Sequence, residues 1–186
     1  MFLKRVQTAT MSDFAKVCFF FLKNPFYEIR YELILEKKMM IYVKEAESQD
    51  FLIVLSLIKN ELGYPNLNET DTLKRLEYFK QSKDWETSVA VVDSETVGFI
   101  GVRKGMSYAI DGFYVEIAAL AVAEEARRGG VGAALVKKAE EWALKNGTDE
   151  MRLHSNMKRL DAHLFYEKIG YGKKSYWFSK KLGGAK

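Results

Sequence analysis

The spacing of hydrophobic and polar positions changes along the chain, and each change marks an element. Ile117 to Val122 reads Ile-Ala-Ala-Leu-Ala-Val, a continuous apolar run of the length of a buried strand. A polar loop follows, ending in the cluster Arg127-Arg128-Gly129-Gly130-Val131-Gly132. Beyond it Val131, Leu135, Ala139 and Trp142 recur at helical spacing, with Lys137, Lys138, Glu140 and Glu141 on the other faces. Gly147 stands where such a helix stops. Strand, glycine-rich loop and helix thus follow one another, and the rest of the chain is arranged around them.

Upstream, Ile41 to Lys44 reads as a strand. Ser48 is placed to cap a helix with Phe51, Leu52, Leu55 and Ile58 on its inner face, ended by Gly63 and Pro65. Asn68 or Thr70 opens a second helix carrying Leu73, Leu76 and Phe79. Ser88–Asp93 and Thr96–Val102 form a strand pair turning at Asp93-Ser94-Glu95. Gly98 and Gly101 in its second strand mark a bulge or close packing. The stretch 105–112 reads as a loop, Phe113–Val122 as the next strand, and Met151–His154 as the strand after the long helix. Leu160–Ile169 suits a short helix capped by Gly170, and Tyr176–Leu182 a final strand before a frayed tail, 183–186. The pattern predicts an α/β chain of the α+β type, a mixed sheet with helices on both faces.

Residues 1–40 stand apart. Val17 to Leu22 is apolar behind Lys4 and Arg5, but no small-residue cleavage site follows, and the run is far too short to span a membrane. Ser12 and Asp13 suit the cap of a short helix ended by Asn24-Pro25. Tyr27, Ile29, Tyr31, Leu33 and Leu35 then alternate with charged residues as a strand does. Two readings stay open: an arm packing on the domain or on a second subunit in a homodimer, and a natural start at Met39 or Met40.

Composition narrows the function classes. With 48% hydrophobic and 29% charged residues, the 186-residue chain has what a core needs. A single cysteine excludes an internal disulfide framework and suits a reducing compartment, so the expected location is the cytoplasm. One Cys and two His are too few for a self-contained zinc site, and no metal is expected. A net charge of +4 is mild, with no long basic run interleaved with aromatics, so neither nucleic acid nor membrane is an expected partner.

The glycine-rich loop carries the chemistry. Glycine lets a ligand approach the backbone closely, and a helix's first N–H groups favour an anion. Arg127 and Arg128 add positive charge, so the cluster reads physically as a pyrophosphate cradle, a plain tight turn being the alternative. A dinucleotide fingerprint fits Gly130 and Gly132 but fails at Leu135, and the Gly-Lys-Ser/Thr of a Walker loop is missing.

Arg127-x-x-Gly130-x-Gly132 resembles the Q/R-x-x-G-x-G/A signature of the GNAT superfamily of N-acetyltransferases, whose loop binds the pyrophosphate of acetyl-CoA. The apolar strand resembles that family's fourth strand, and Asp161-Ala-His-Leu-Phe-Tyr166-Glu-Lys-Ile-Gly170-Tyr171 resembles its A-x-x-F-Y-E-K-x-G-F segment. The likeness covers roughly residues 41–182. It implies a mostly antiparallel sheet and acetyl-CoA as co-substrate. It also implies direct transfer to a primary amine of a small molecule. A protein N-terminus or lysine is the alternative acceptor, and a non-catalytic acyl-CoA sensor the alternative class.

Acetyl transfer needs an anchored donor, a polarised carbonyl, a neutral amine and a stabilised thiolate. Backbone N–H groups of Arg128, Gly129, Gly130, Val131, Gly132 and Ala133 are the expected anchor. The resemblance implies that the pantetheine arm pairs with Leu120, Ala121 and Val122, with the Leu120 N–H polarising the carbonyl; this requires the strand to splay from its neighbour. It implies Tyr166 as the acid for the thiolate, a plain aromatic helix residue being the other reading. Glu116, just before the apolar strand, is the candidate base. Asn156 stands where the family holds pantetheine; a second family asparagine is replaced by Arg159. The loop residues Tyr64, Asn66 and Asn68 are expected beside the acceptor. His154 and His163 read as structural or surface residues.

Overall fold

A computed structural model describes residues 40–182 of the chain. The readings made on residues 1–39 and on the tail 183–186 lie outside it. Five strands form one sheet: β1 (Tyr42–Glu45), β2 (Trp85–Val92), β3 (Glu95–Gly105), β4 (Tyr114–Val122) and β5 (Met151–Leu153). They lie side by side in chain order, antiparallel from β1 to β4, with β5 parallel to β4. Helices α1 (Phe51–Glu61), α2 (Glu69–Gln81), α3 (Val131–Lys145) and α4 (Leu160–Lys168) complete the domain. No helix among the described residues is long and apolar enough to cross a membrane.

Period-2 alternation on the strands sorts the core into two layers. Ile100, Val102, Val115 and Ile117 pack with Val131, Leu135, Val136 and Ala139 of α3. Val89, Phe99 and Ala121 pack on the other face, with Phe51, Val54 and Leu57 of α1 and Leu76 of α2. The α3 periodicity is as expected, Trp142 being only partly buried. On α1 the inner face is Phe51, Val54, Leu55 and Leu57, whereas Leu52 is 59% exposed. Phe51 to Leu57 is apolar at every position but Ser56, so periodicity alone does not fix the helix's rotation.

Ser48 does not cap α1. It opens a short 3-10 turn, Ser48–Asp50, in which Asp50 accepts from the Glu47 N–H at 2.8 Å and from Lys44 Nζ at 2.6 Å. Asn68 is the cap of α2, accepting from the Asp71 N–H at 2.9 Å. The β2–β3 turn is tight because Asp93 and Ser94 both take positive φ, 49° and 69°, the twist that matches a two-residue hairpin. The strand expected at Tyr176–Leu182 is not formed. That stretch has no regular structure, and Tyr176, Trp177, Phe178 and Leu182 are exposed. Its aromatic composition suits a strand, but it pairs with none of the five described strands.

Candidate active site

Arg127 to Gly130 make an exposed turn in which Arg128 (φ 65°) and Gly130 (φ 89°) are left-handed. Gly130 is the N-cap of α3, and a Cβ there would sit 3.7 Å from Ile41, so conformation rather than space calls for glycine. Ala134 donates to the Gly130 carbonyl at 3.0 Å. The N–H groups of Val131, Gly132 and Ala133 precede that ladder and are free to meet an anion. At Gly132 a Cβ would lie 3.2 Å from the Phe165 ring. Its glycine therefore lets α4 close against the first turn of α3, a reason the motif alone does not reveal. Arg127 turns away from the cradle: its Nε donates to the Val122 carbonyl at 3.2 Å and its guanidinium pairs with Glu61. It ties the end of β4 to the end of α1, so Arg128 is the cation of this turn with no carboxylate partner among the described residues.

The sheet forks beside this turn. β4 pairs with β5 only at Val115, Glu116 and Ile117, whereas it follows β3 through to Val122. From Ala118 onward its other edge has no strand partner among the described residues, an edge that an extended chain can pair with. A bulge sits at the branching point: Gly101 faces Ala119 and Val102 faces Ile117, so Ala118 is the extra residue. The bulge resets the alternation. Ile117 and Leu120 pack towards α3, and Ala119 and Ala121 towards α1. Gly98 belongs to the same arrangement, since a Cβ there would meet the Ala121 carbonyl at 2.9 Å.

Tyr166 stands on α4 in the cluster that holds Leu120, Val122, Val131 and Phe165. Its ring packs edge-on against Phe165 at 5.1 Å and Tyr171 at 5.8 Å. Burial pushes its hydroxyl up to about 12, opposed by the charge of Arg159. None of the described residues hydrogen-bonds that hydroxyl, so its proton is uncommitted. Asn156 braces the β5–α4 connection: its Oδ1 accepts from the Lys158 N–H at 2.9 Å, and its carbonyl accepts from the Arg159 N–H at 2.9 Å and from His163 Nε2 at 3.0 Å. Asn68 is likewise committed to its helix cap, while Tyr64 is exposed.

Glu116 lies on the opposite face of the sheet from Tyr166, at the closed end of the fork. Arg103, its partner on β3, donates to Oε2 through Nε at 2.8 Å and pairs with it at 2.6 Å. His154, just past β5, meets Oε1 through Nδ1 at 3.1 Å. The row extends both ways: Arg103 lies over Trp85, which stacks on Phe79 at 3.9 Å, and His154 lies 5.4 Å from Trp177. Arg103 lies one residue past the strand expected at Thr96–Val102, and His154 reads in the sequence as a structural or surface residue; that they meet one carboxylate depends on strand order and register.

The cradle, the free edge and Tyr166 share one core cluster, and the chemistry they offer fits a long ligand with an anionic middle and an extended amide-bearing arm. Comparison with known proteins decides the family. Residues 53–171 match the model of the acetyltransferase (GNAT) family. The chain belongs to the GNAT acetyltransferase family. This acetyltransferase is 29% identical to an aminoalkylphosphonate N-acetyltransferase of Salmonella typhimurium (strain LT2) over 75% of this chain and 90% of that one. It is 30% identical to an uncharacterized N-acetyltransferase of Bacillus subtilis (strain 168), over 77% of this chain and all of the relative. A solved aminoglycoside N-acetyltransferase AAC(6')-Iy in complex with CoA has the same fold, with a TM-score of 0.71, 15% identity, and coverage of 78% of this chain and 97% of that one. The protein is thus an acyltransferase with acetyl-CoA as co-substrate.

Proposed function

We propose that this acetyltransferase moves the acetyl group of acetyl-CoA directly to a primary amine of a small molecule within a ternary complex. The observation that carries the reading is the fork: β4 offers an unpaired edge that begins at Ala118 and ends at the N-terminus of α3. The backbone N–H groups of Arg128 to Ala133 hold the pyrophosphate, and Leu120 to Val122 take the pantetheine arm as an added strand. The Leu120 N–H polarises the thioester carbonyl. Tyr166 supplies its uncommitted proton to the departing sulfur, and the Glu116 cluster removes a proton from the acceptor's ammonium. Asn156, through its side-chain amide N–H, is a further contact for the arm. A small amine is favoured over a protein because the Salmonella relative bears the name of a small-molecule acetyltransferase.

Thiol release from acetyl-CoA, followed over a panel of aminoalkylphosphonates, amino sugars, polyamines, amino acids and peptides, tests this. Turnover confined to small amines is expected. Turnover of peptides alone overturns the acceptor class, and tight binding without turnover of any amine turns the protein into a sensor.

A further inference from the structure

Nδ1 of His154 lies 3.1 Å from Oε1 of Glu116, and a carboxylate oxygen only accepts. The proton between them therefore belongs to Nδ1, and the neutral ring presents an unprotonated Nε2 on its far side. The carboxylate itself is poorly placed to receive a proton. Arg103 binds one oxygen twice, His154 occupies the other, and only 12% of the side chain is exposed, against 48% for the imidazole. Continuing the β4–β5 register beyond Ile117–Leu153 sets His154 beside the bulged, exposed Ala118, where the free edge begins.

We infer that His154 is the group that takes the proton from the acceptor ammonium, with Glu116 as its positioning residue and Arg103 fixing Glu116 in turn. The inference rests on the acetyltransferase reading and refines it. Nε2 accepts one proton from the ammonium; the freed nitrogen pair forms the C–N bond as the C–S bond breaks. The proton lost from nitrogen in that step balances the one Tyr166 gives to sulfur, and His154, half-exposed, returns its own to water. The groups facing the ring are Glu116 from β4, Arg103 behind it from β3, Arg152 on the same face of β5 and Trp177 from the C-terminal stretch. Arg152 is engaged by Glu150 at 2.9 Å and lies over the Tyr114 ring, so Glu116 is the charge in direct contact.

The test has two readouts on the full chain. Ring nitrogen NMR of protein labelled with 15N-histidine, which has only two His to assign, reads the tautomer without any substrate. In wild type His154 is expected as the Nδ1–H form, less favoured in Glu116→Gln because a neutral amide is the weaker acceptor; the opposite tautomer in wild type overturns the proposal. The pH profile of kcat/KM, with acetyl-CoA and an amine from the panel, is the second. Wild type should show an acid limb. His154→Gln should abolish that limb and lower kcat/KM about 10²- to 10⁴-fold at neutral pH. Glu116→Gln should keep the limb and move it to lower pH, because the imidazolium loses its counter-charge. An unchanged limb in His154→Gln, or one abolished only in Glu116→Gln, makes Glu116 the direct base and sinks the proposal. If no amine is turned over, the acceptor reading fails while the tautomer still answers for His154.

Discussion

Replacing Tyr166 by Phe removes one hydroxyl and leaves the packing with Phe165 and Tyr171 in place. The size of the loss follows from where burial has put the phenol. Its hydroxyl sits at about 12, whereas an ordinary thiol ionises near 8.5, about 3.5 units lower. Complete transfer of the proton to a free thiolate would be uphill by about 5 kcal/mol, at 1.36 kcal/mol per unit. In the proposed mechanism Tyr166 would therefore act chiefly by donating a charge-assisted hydrogen bond to sulfur while the C–S bond breaks, its proton moving only as another arrives. Such a bond contributes about 1.5–3 kcal/mol, so Tyr166→Phe should lower kcat about 10- to 150-fold with little change in KM for acetyl-CoA. The same burial predicts a flat alkaline side. The donor stays protonated until about pH 12, so wild-type kcat should show no loss due to Tyr166 between pH 8 and 10.5. Steady-state thiol release across that range is the assay. A kcat unchanged in Tyr166→Phe, or an alkaline limb near pH 10 that this variant removes, refutes the reasoning.

Four further outcomes are expected. Leu135→Ala, at a fully buried position between α3 and the sheet, should cost about 2–5 kcal/mol in urea unfolding. Gly130→Ala should cost about 1–2 kcal/mol through its left-handed φ and weaken CoA binding, read by titration calorimetry. Arg127→Ala should lower stability by about 1 kcal/mol through the lost Val122 and Glu61 contacts while leaving the salt dependence of CoA affinity unchanged; Arg128→Ala should flatten that dependence. Tyr166 and Tyr171 are both raised by burial, Tyr171 also by Glu140, whereas an unfolded chain ionises tyrosine near pH 10. Their stability contribution is full below pH 10 and falls as pH rises towards 12, by up to about 1.4 kcal/mol per pH unit for Tyr166 and by less for Tyr171, which solvent screens more. Urea unfolding at pH 9, 10 and 11, against a Tyr166→Phe/Tyr171→Phe variant, measures it.

What could be read in the sequence was what depends on near neighbours in the chain. The Gly130 turn, the Val131–Ala139 stripe, the Asn68 cap and the Asp93-Ser94 hairpin are each set within a few residues, and each stands in the fold as read. What escaped depends on partners far along the chain. The second reason for glycine at 132, the Phe165 ring against it, is not in the motif, nor is the pairing of Arg127 with Glu61. Ser48 looked like a cap because its residue type suits one, but Asp50 wins the backbone N–H with the help of Lys44. His154 looked like a surface histidine because nothing within ten residues shows that Glu116 is waiting across the sheet.

The three-residue β5 has a consequence for how the domain breathes. Three cross-strand pairs and an α4 with no fully buried residue make one arm of the fork far less anchored than the β2–β3–β4 and α3 block, whose centre is closed to water. The described domain is then a firm block with a lightly held flap, and the flap carries Tyr166 and His154. A donor lying along β4 with its pyrophosphate on α3 would bridge the two and act as a staple. Hydrogen exchange should show it: amides of β5 and α4 exchanging early in the bare protein and slowing together when acetyl-CoA is added, ahead of any change in the α3 block. The order of events in the reaction would then be written into the mechanics of the sheet, with the donor binding first because it builds the wall against which the acceptor is held.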